Sequence, residues 1–384
     1  MPLNQHYDVV IIGAGPAGTA CALALQGSGL RVALVDRKQF PRDKICGDAI
    51  PSPALKAIRQ LSQAWYDELF ELTTKAETRN SRLVAPNGTE IVVQWKARTF
   101  NSPRLHFDQH LLSMVKRHTK TEVLENFGVK RLEISAQQAT VFPSAQAAPL
   151  TAALVIGCDG ANSVVARQLT NRTLDRTRQC AAVRAYFTGL SESDEQTSEF
   201  FFLDEYRSGY FWIFPVGQGV FNVGFGMLSA QIAARKLDLK QVLRHLTQTH
   251  PRLATRFAQA KQLSDIQGFG LPLGGVQRPI SGARFLLAGD AAALIDPLQG
   301  HGIDKAVQSG ILAAQQAVRC FQTHDFSAAQ LFEYDRQVQT HIGKKLARSY
   351  HLMHFLSAKA WLVNGAFRFG RHPLIKNLLL KAVG

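Results

Sequence analysis

One stretch constrains this chain more than any other: residues 8 to 37, DVVIIGAGPAGTACALALQGSGLRVALVDR. Val9-Val10-Ile11-Ile12 is apolar without alternation, the pattern of a parallel strand covered on both faces. Three glycines follow at G-x-G-x-x-G spacing. Gly13 permits a tight turn, Gly15 lets the backbone approach a pyrophosphate, and Gly18 lets the next helix lie against its strand. Pro16 and Ala17 open that helix, where free amides and about half a positive charge from the aligned peptide dipoles face the phosphates. Asp36, followed by Arg37, closes the unit 18 residues after Gly18, at the tip of a second strand over Arg31 to Val35. A carboxylate there accepts from a ribose 2′-hydroxyl and repels a 2′-phosphate. A lone glycine motif would be weak evidence, but here strand, helix, second strand and acid stand in register. The unit calls for a dinucleotide, FAD or NAD rather than NADP.

At 384 residues the chain exceeds the usual single-domain range, so two packed domains with sizeable cores are expected. Hydrophobic content of 46% and the lack of a low-complexity tract point to a globular protein. The five cysteines, Cys21, Cys46, Cys158, Cys180 and Cys320, are scattered, with no C-x-x-C pair and no metal-ligand spacing. They suggest a reducing compartment and no metal site. The first strand begins within about eight residues, which leaves no room for a signal peptide, and no apolar run reaches membrane-span length. The expected location is cytoplasmic.

The net charge of +15 is unevenly placed, because residues 336 to 384 hold nine Lys or Arg and no Asp or Glu. No helix-turn-helix, zinc or RNA-recognition signature accompanies the charge, so nucleic acid is not an expected partner. The basic tail is interleaved with Leu352, Phe355, Trp361, Phe367, Phe369 and Leu378. That mixture suits either peripheral contact with an anionic membrane or a solvated helical face packed on the body.

Beyond the opening unit, QFPRDKICGDAIPSPALKAI is polar and turn-rich and leads into a helix with Pro53 near its first turn. It is expected to lie over the cofactor. Pieces at 81–85 and 90–95, split by Pro86-Asn87-Gly88, read as a hairpin. Residues 120–158 alternate through several strands and end in the buried run Leu154-Val155-Ile156-Gly157-Cys158. From about 180 to 274 the texture changes to Phe- and Gly-rich alternation, read as a separate antiparallel sheet interrupted by helix over 229–260. RFLLAG at 284–289 returns to parallel-strand character before a long helix from about 302 to 321. The expected fold class is α/β: a Rossmann-like domain with a mixed parallel sheet, discontinuous in sequence, an inserted antiparallel β-sheet substrate domain, and C-terminal helices. The expected boundaries are 1–75, 100–178 and 276–325 for the dinucleotide domain, 76–99 and 179–275 for the substrate domain, and 326–384 for the helical segment.

Two further sequences select FAD. They are Cys158-Asp159-Gly160-Ala161-Asn162-Ser163, and Leu287-Ala288-Gly289-Asp290-Ala291-Ala292 with Asp296-Pro297 and Gly300-His301-Gly302 just beyond. With the opening unit they resemble the three fingerprints of the p-hydroxybenzoate-hydroxylase-like flavoproteins. The resemblance implies that Asp290, after Gly289, accepts from the ribityl chain, and that the Asp159-Gly160 turn supports the phosphate region. The loop Pro297–Gly302 opens a helix near Ile303, so backbone N–H groups and a positive helix end face the flavin. Half a charge about 4 Å away at an effective dielectric near 20 stabilises a reduced ring by roughly 2 kcal/mol.

Within that superfamily the sequence resembles the geranylgeranyl reductase family. Three stretches carry this resemblance: Phe40-Pro41-Arg42-Asp43-Lys44-Ile45-Cys46-Gly47-Asp48, Tyr210-Phe211-Trp212-Ile213-Phe214-Pro215, and Asp296-Pro297-Leu298-Gln299-Gly300-His301-Gly302-Ile303. It spans residues 1 to about 320 and implies FAD bound without a second nucleotide fold, a diffusing reductant such as NAD(P)H, and reduction of prenyl double bonds. It places Arg42, Cys46 and Gly47 against the flavin and Arg104 near the FAD phosphates, the alternative for Arg104 being a surface ion pair. Tyr210, Trp212 and Phe214 share one strand face and suit the wall of a pocket for a hydrophobic or aromatic small molecule, or plain core. Cys46 is either a proton donor or redox-sensitive thiol beside the flavin, or a small spacer. His301 departs from the family pattern and is either an acid/base group or loop lining.

The leading function is therefore an FAD-dependent reductase of an isoprenoid or lipid-like carbon–carbon double bond. Hydride transfer from reduced flavin would be matched by a proton from Cys46, His301 or water. A monooxygenase of an aromatic or polyketide-like substrate, using NAD(P)H and O₂, shares every cofactor motif and is the alternative. A non-catalytic flavin scaffold or redox sensor is the third class.

Overall fold

The structure is a computed structural model that describes residues 5–170 and 175–358. The first part of the chain contains β1 (Gln5–Ile12), α1 (Pro16–Ala24), β2 (Val32–Val35), β3 (Ala49–Ile50), α2 (Ser52–Leu61), α3 (Gln63–Glu68), β4 (Ala76–Val84), β5 (Glu90–Asn101) and α4 (Arg104–His118). Next come β6 (Glu122–Leu124), β7 (Val129–Ile134), β8 (Ala139–Pro143), β9 (Leu150–Gly157) and α5 (Val164–Leu169), then β10 (Gln179–Thr188), β11 (Thr197–Phe201), β12 (Gly209–Gly217) and β13 (Val220–Leu228). The remainder holds α6 (Ser229–Ala234), α7 (Leu239–Gln248), β14 (Lys261–Gln262), β15 (Gln267–Pro272), β16 (Ser281–Gly282), β17 (Phe285–Leu287), α8 (Ile303–Thr323), α9 (Ala328–Val338) and α10 (Lys344–Ala358).

Two sheets organise these elements. The first has the order β16-β17-β9-β1-β2-β6, with β8 pairing β9 and β7 pairing β8. Its centre is parallel, since β1 pairs with both β2 and β9, and β9 with β17. Val9, Val10, Ile11, Leu154, Val155 and Ile156 are all fully buried, as the unalternating apolar runs require of strands covered on both faces. β1, β9 and β17 are far apart in sequence yet adjacent in space. Their C-terminal ends, followed by Gly13, Cys158 and Ala288, therefore open on one edge, where ligands of such sheets collect.

The second sheet runs β14-β10-β13-β12-β11-β4-β5-β3, with β15 also on β10. Most of its pairings are antiparallel, as the Phe- and Gly-rich alternation predicts. β11 against β4 is parallel, because the early β4–β5 hairpin docks on a strand from the later segment. Ala49–Ile50, from the loop expected over the cofactor, also joins this sheet by pairing with β5. One sheet face is sealed by α7, whose Val242, Leu243 and Leu246 pack with Phe211, Ile213 and Phe225. The helical interruption expected over 229–260 appears as α6, α7 and a short turn of helix at Ala254–Phe257.

α1 and α8 cross at close range, since a Cβ on Gly310 would lie 2.2 Å from the Ala17 carbonyl oxygen. α9 runs through a turn of π-helix at Gln339–Gly343 into α10. No helix of the described residues is long and apolar enough to cross a membrane. Trp361, Phe367, Phe369 and Leu378 of the basic tail lie outside the described residues.

Candidate functional site

Gly13, Gly15 and Gly18 are each used for a different spatial reason. Gly13 has φ +104°, and a Cβ there would lie 2.3 Å from the Cys158 carbonyl oxygen. The turn needs glycine for both conformation and space. A Cβ on Gly18 would lie 1.9 Å from the Gly13 carbonyl oxygen, so helix and turn are in contact. Gly15 differs: the nearest atom to a Cβ there is an Arg42 guanidinium nitrogen at 3.7 Å, which leaves its surface open to a ligand. Gly15 caps α1 without a side-chain bond, and the amides of Ala17 and Gly18 precede the first intrahelical partner.

Asp36 is buried at 8% exposure. Its Oδ2 accepts from the Ala14 amide at 2.9 Å and its Oδ1 from the Lys38 amide at 2.9 Å, which fixes the carboxylate at the end of β2 beside the glycine turn. Arg42 lies 3.9 Å from Asp36 and donates to Asp108 at 2.9 Å. Arg104 donates to the same Asp108 through Nε at 2.6 Å and a terminal nitrogen at 2.8 Å, with only 3% exposure. The surface ion pair considered for Arg104 is thus a buried one, and much of its donor set is engaged by Asp108. Burial alone would lower the Arg104 guanidinium. The Asp108 carboxylate outweighs this and, with a contribution from Cys46, holds it above its usual range. Arg37 is exposed.

The second and third corners lie at the ends of β9 and β17. Asp159 Oδ2 accepts from the amides of Val164 at 2.6 Å and Val165 at 3.3 Å, while buried Oδ1 has no hydrogen-bond partner among the described residues. Burial pushes this carboxyl up. Gly160, at φ +80°, has nothing within 4 Å of an added Cβ. Asp290 follows Gly289, whose φ of +62° allows the turn against Ala17 and Ala306, and Asp290 lies 3.3 Å from Lys44 Nζ.

Asp296 builds the loop from Pro297 to Gly302. Its Oδ1 accepts from the amides of Leu298 at 2.9 Å and Gln299 at 3.0 Å, and its backbone carbonyl from the Gly300 amide. Its Oδ2 accepts from the Ser349 hydroxyl of α10 at 3.0 Å. Gly302 caps α8 without a side-chain bond, so the amides from Ile303 onward begin at this loop. His301 Nδ1 stands 3.2 Å from buried Asp304, which also pairs with Lys305. Burial would raise Asp304, but His301 and Lys305 together hold it well below the usual carboxylate range.

Tyr210, Trp212 and Phe214 project from β12 opposite the α7 core. Tyr210 lies 5.8 Å from Trp212, and Trp212 stacks on Phe214 at 6.0 Å. The Tyr210 hydroxyl donates to the Gln299 carbonyl at 2.8 Å, which ties the aromatic wall to the His301 loop. Across from them, a Cβ on Gly47 would lie 3.3 Å from the Phe214 ring. The structure therefore brings Cys46, Gly47, His301 and the aromatic wall to one place.

A buried polar cluster beside this wall, on the same sheet face, was not anticipated from the sequence. Asp48, with φ +65° and no exposure, accepts at Oδ2 from the Tyr186 hydroxyl at 2.6 Å and Asn222 Nδ2 at 2.7 Å. Asn222 also donates to the Cys46 carbonyl at 2.8 Å and accepts from Trp212 Nε1 at 2.9 Å. Arg184, 2% exposed, donates to Asp43 at 2.5 Å and covers the Tyr186 ring. The only advance signal was a polar residue inside otherwise apolar runs, Arg184 in AAVRAYF and Asn222 in GVFNVGFGM.

Burial pushes the Asp48 carboxyl up to about 6, against the pull of Tyr186, Asn222, Arg184 and Arg104. Folding therefore favours the neutral acid, and that contribution is full below the ordinary value of 3.8 and lost as pH rises through about 6. Tyr186→Phe deletes a donor that matters most to the ionised form. The expected loss in unfolding free energy at pH 7 is about 1.5–3 kcal/mol, and smaller at pH 4. Urea titrations at the two pH values measure it, and an equal loss at both would refute the assignment.

The residues fit FAD: an open glycine, uncommitted first-turn amides, an orphaned buried carboxylate oxygen and a helix N-terminus lie along one edge of the first sheet. Fold and site together define an FAD-dependent oxidoreductase of the hydroxylase-like superfamily. A family model described as an FAD binding domain matches residues 6–316. The menaquinone reductase of Mycobacterium tuberculosis is 31% identical over 331 residues, covering 82% of this chain and 77% of that one. The digeranylgeranylglycerophospholipid reductase of Methanocella arvoryzae is 25% identical over 358 residues, covering 91% and 87%. A geranylgeranyl bacteriochlorophyll reductase-like structure from Thermoplasma acidophilum superposes with a TM-score of 0.86 at 22% identity, covering 99% of this chain and 95% of that one. A flavin-dependent brominase superposes at 0.81 with 20% identity, covering 99% and 93%. At such identities the two structures speak for the fold. The chain belongs to the geranylgeranyl reductase family of FAD-dependent oxidoreductases.

Proposed function

We propose that this enzyme reduces a carbon–carbon double bond in the isoprenoid chain of a lipid-like substrate, with NAD(P)H as a transient electron donor. The observation that carries the reading is the aromatic wall of Tyr210, Trp212 and Phe214, bonded to the His301 loop and facing the Cys46-Gly47 turn. Such a surface accepts a long apolar chain and offers it few hydrogen bonds. The two reductase relatives are named for a menaquinone and for a digeranylgeranyl glycerophospholipid, both lipids.

Gly13, Gly15, Pro16, Ala17, Gly18, Asp36, Arg37 and Arg42 would hold the adenosine and pyrophosphate end, with Arg104 positioning Arg42 through Asp108. Asp159 and Gly160 flank the phosphates. Gly289, Asp290, Pro297, Gly300, Gly302 and Ile303 would hold the ribityl and ring end. Bound FAD supplies hydride chemistry once reduced. Proton delivery to the second alkene carbon falls to this chain's own groups. His301 is held at Nδ1 by Asp304, so Nε2 is its proton-exchanging nitrogen, and Cys46 offers a thiol on the opposite wall. Trp212 and Phe214 exclude water from the reacting carbons.

The test is anaerobic incubation of the FAD-loaded protein with dithionite and a polyprenyl lipid, read by mass spectrometry. The expected product gains two hydrogens per reduced bond. A product that forms only with oxygen and gains an oxygen atom would overturn the reading in favour of hydroxylation. His301→Gln is expected to slow turnover by about a hundredfold with FAD content unchanged.

A further inference from the structure

α10 has two faces with different duties. Leu346 and Met353 are buried, Tyr350 packs beside Leu298, Ile295 and Leu273, and the Ser349 hydroxyl donates to Asp296 at the base of the His301 loop. The opposite face is exposed and carries Lys344, Lys345, Arg348, His351 and Phe355. From 344 to 355 these positions recur at three- and four-residue intervals, which makes a single stripe along the helix. Phe355 is 50% exposed, one of the few large apolar side chains that reach the surface among the described residues. Residues 336–358 contain no Asp or Glu, and Lys344, Lys345 and Arg348 have no acidic partner among the described residues.

A stripe of cations with no acid among them and an exposed Phe355 at its end do not suit a merely solvated helix face, which normally interleaves acids. They match a headgroup region, where cations meet anionic lipid and rings sink to the acyl boundary. We propose that the exposed ridge from Lys344 to Phe355 docks the enzyme on an anionic bilayer. Because the other face of the same helix holds the His301 loop, docking sets the cofactor loop one helix diameter from the lipid surface. The proposal stands on the surface itself and not on the reaction assigned above, so either can fail alone.

The test is cosedimentation of the full-length, FAD-loaded protein with vesicles of phosphatidylcholine, alone or mixed with phosphatidylglycerol. The expected result is binding to the mixed vesicles, little to phosphatidylcholine alone, and release by high salt. K344E/K345E/R348E is expected to weaken partitioning by at least a hundredfold, on the scale of about a fivefold effect per lost cation near the surface. K344Q/K345Q/R348Q should weaken it less, and Phe355→Ser should weaken it with the salt dependence intact. These substitutions spare Leu346 and Met353, so FAD content and melting temperature should match the parent protein. Deleting the helix would not preserve that packing. Wild-type protein that ignores anionic vesicles, or charge variants that partition like the parent, would overturn the proposal. So would tight binding to duplex DNA in place of vesicles.

Discussion

Gly15→Val is expected to give a folded protein that has lost its yellow colour. The backbone at Gly15 has φ −77°, which any residue adopts, and its Cβ direction is open apart from a flexible Arg42 nitrogen 3.7 Å away. The protein itself barely resists the new side chain, at a cost of about 1 kcal/mol for an unfavourable N-cap residue. Its methyl groups fill the approach to the first-turn amides of α1, which the proposed site gives to the pyrophosphate. FAD affinity should fall by at least about a hundredfold, or roughly 3 kcal/mol, as measured by equilibrium dialysis with flavin fluorescence. Gly13→Ala is the useful contrast, because φ +104° and the Cys158 carbonyl oxygen at 2.3 Å make the fold itself resist. That variant should lose melting temperature along with FAD. A Gly15→Val protein that retained wild-type affinity would remove the phosphate corner from this site.

Asp108→Ala should be the most destabilising single change near the cofactor. Its carboxylate has no exposure and accepts from both Arg104 and Arg42. Taking it away leaves the Arg104 guanidinium buried without its counter-charge, which typically costs 3–5 kcal/mol. At roughly one degree per kcal/mol for a chain of 384 residues, the melting temperature should fall by about four to six degrees. Arg42 would also lose the partner that holds it beside Asp36, so FAD retention should drop further than stability alone explains. Asp108→Asn keeps the shape and one acceptor and should lose less on both counts. Differential scanning calorimetry with and without added FAD separates the two effects. An unchanged melting temperature would show that the pair is not what holds α4 against the cofactor loop.

The opening β1-α1-β2 unit was legible because its physics is local. A doubly covered strand reads as an unbroken apolar run, and the glycine spacing follows from turn, helix approach and ligand approach within a few residues. Asp159 and Asp290 each stand just past a buried strand, as the sequence places them, but the roles expected of them came from the resemblance to flavoprotein fingerprints and not from any local pattern. What stayed hidden is the chemistry made by distant segments meeting. Asp48 receives Tyr186 and Asn222 from 138 and 174 residues away, and Lys44 reaches Asp290 across 246. No periodicity encodes such pairings. Arg104 could be singled out as a helix-start arginine, yet its engagement by Asp108 one turn later depends on burial that α4 acquires only after packing on α1. The alternate residues of β12 were placed on one face correctly from strand period. Which of its two faces would meet the cofactor loop depended on α7 covering the other.

The crossing of α1 and α8 has a consequence for which coenzyme the protein can use. In the proposed site the start of α1 takes the phosphate end of the cofactor, and the start of α8 the ring end. Gly310 on one helix touches the Ala17 carbonyl on the other at a separation that no side chain could enter. The two ends are thus held like the jaws of a fixed calliper, with a gap set by the protein and not by its cargo. FMN, which lacks the adenylate half, would then reach only one jaw at a time, so a site of this kind measures length before any side chain reads chemistry.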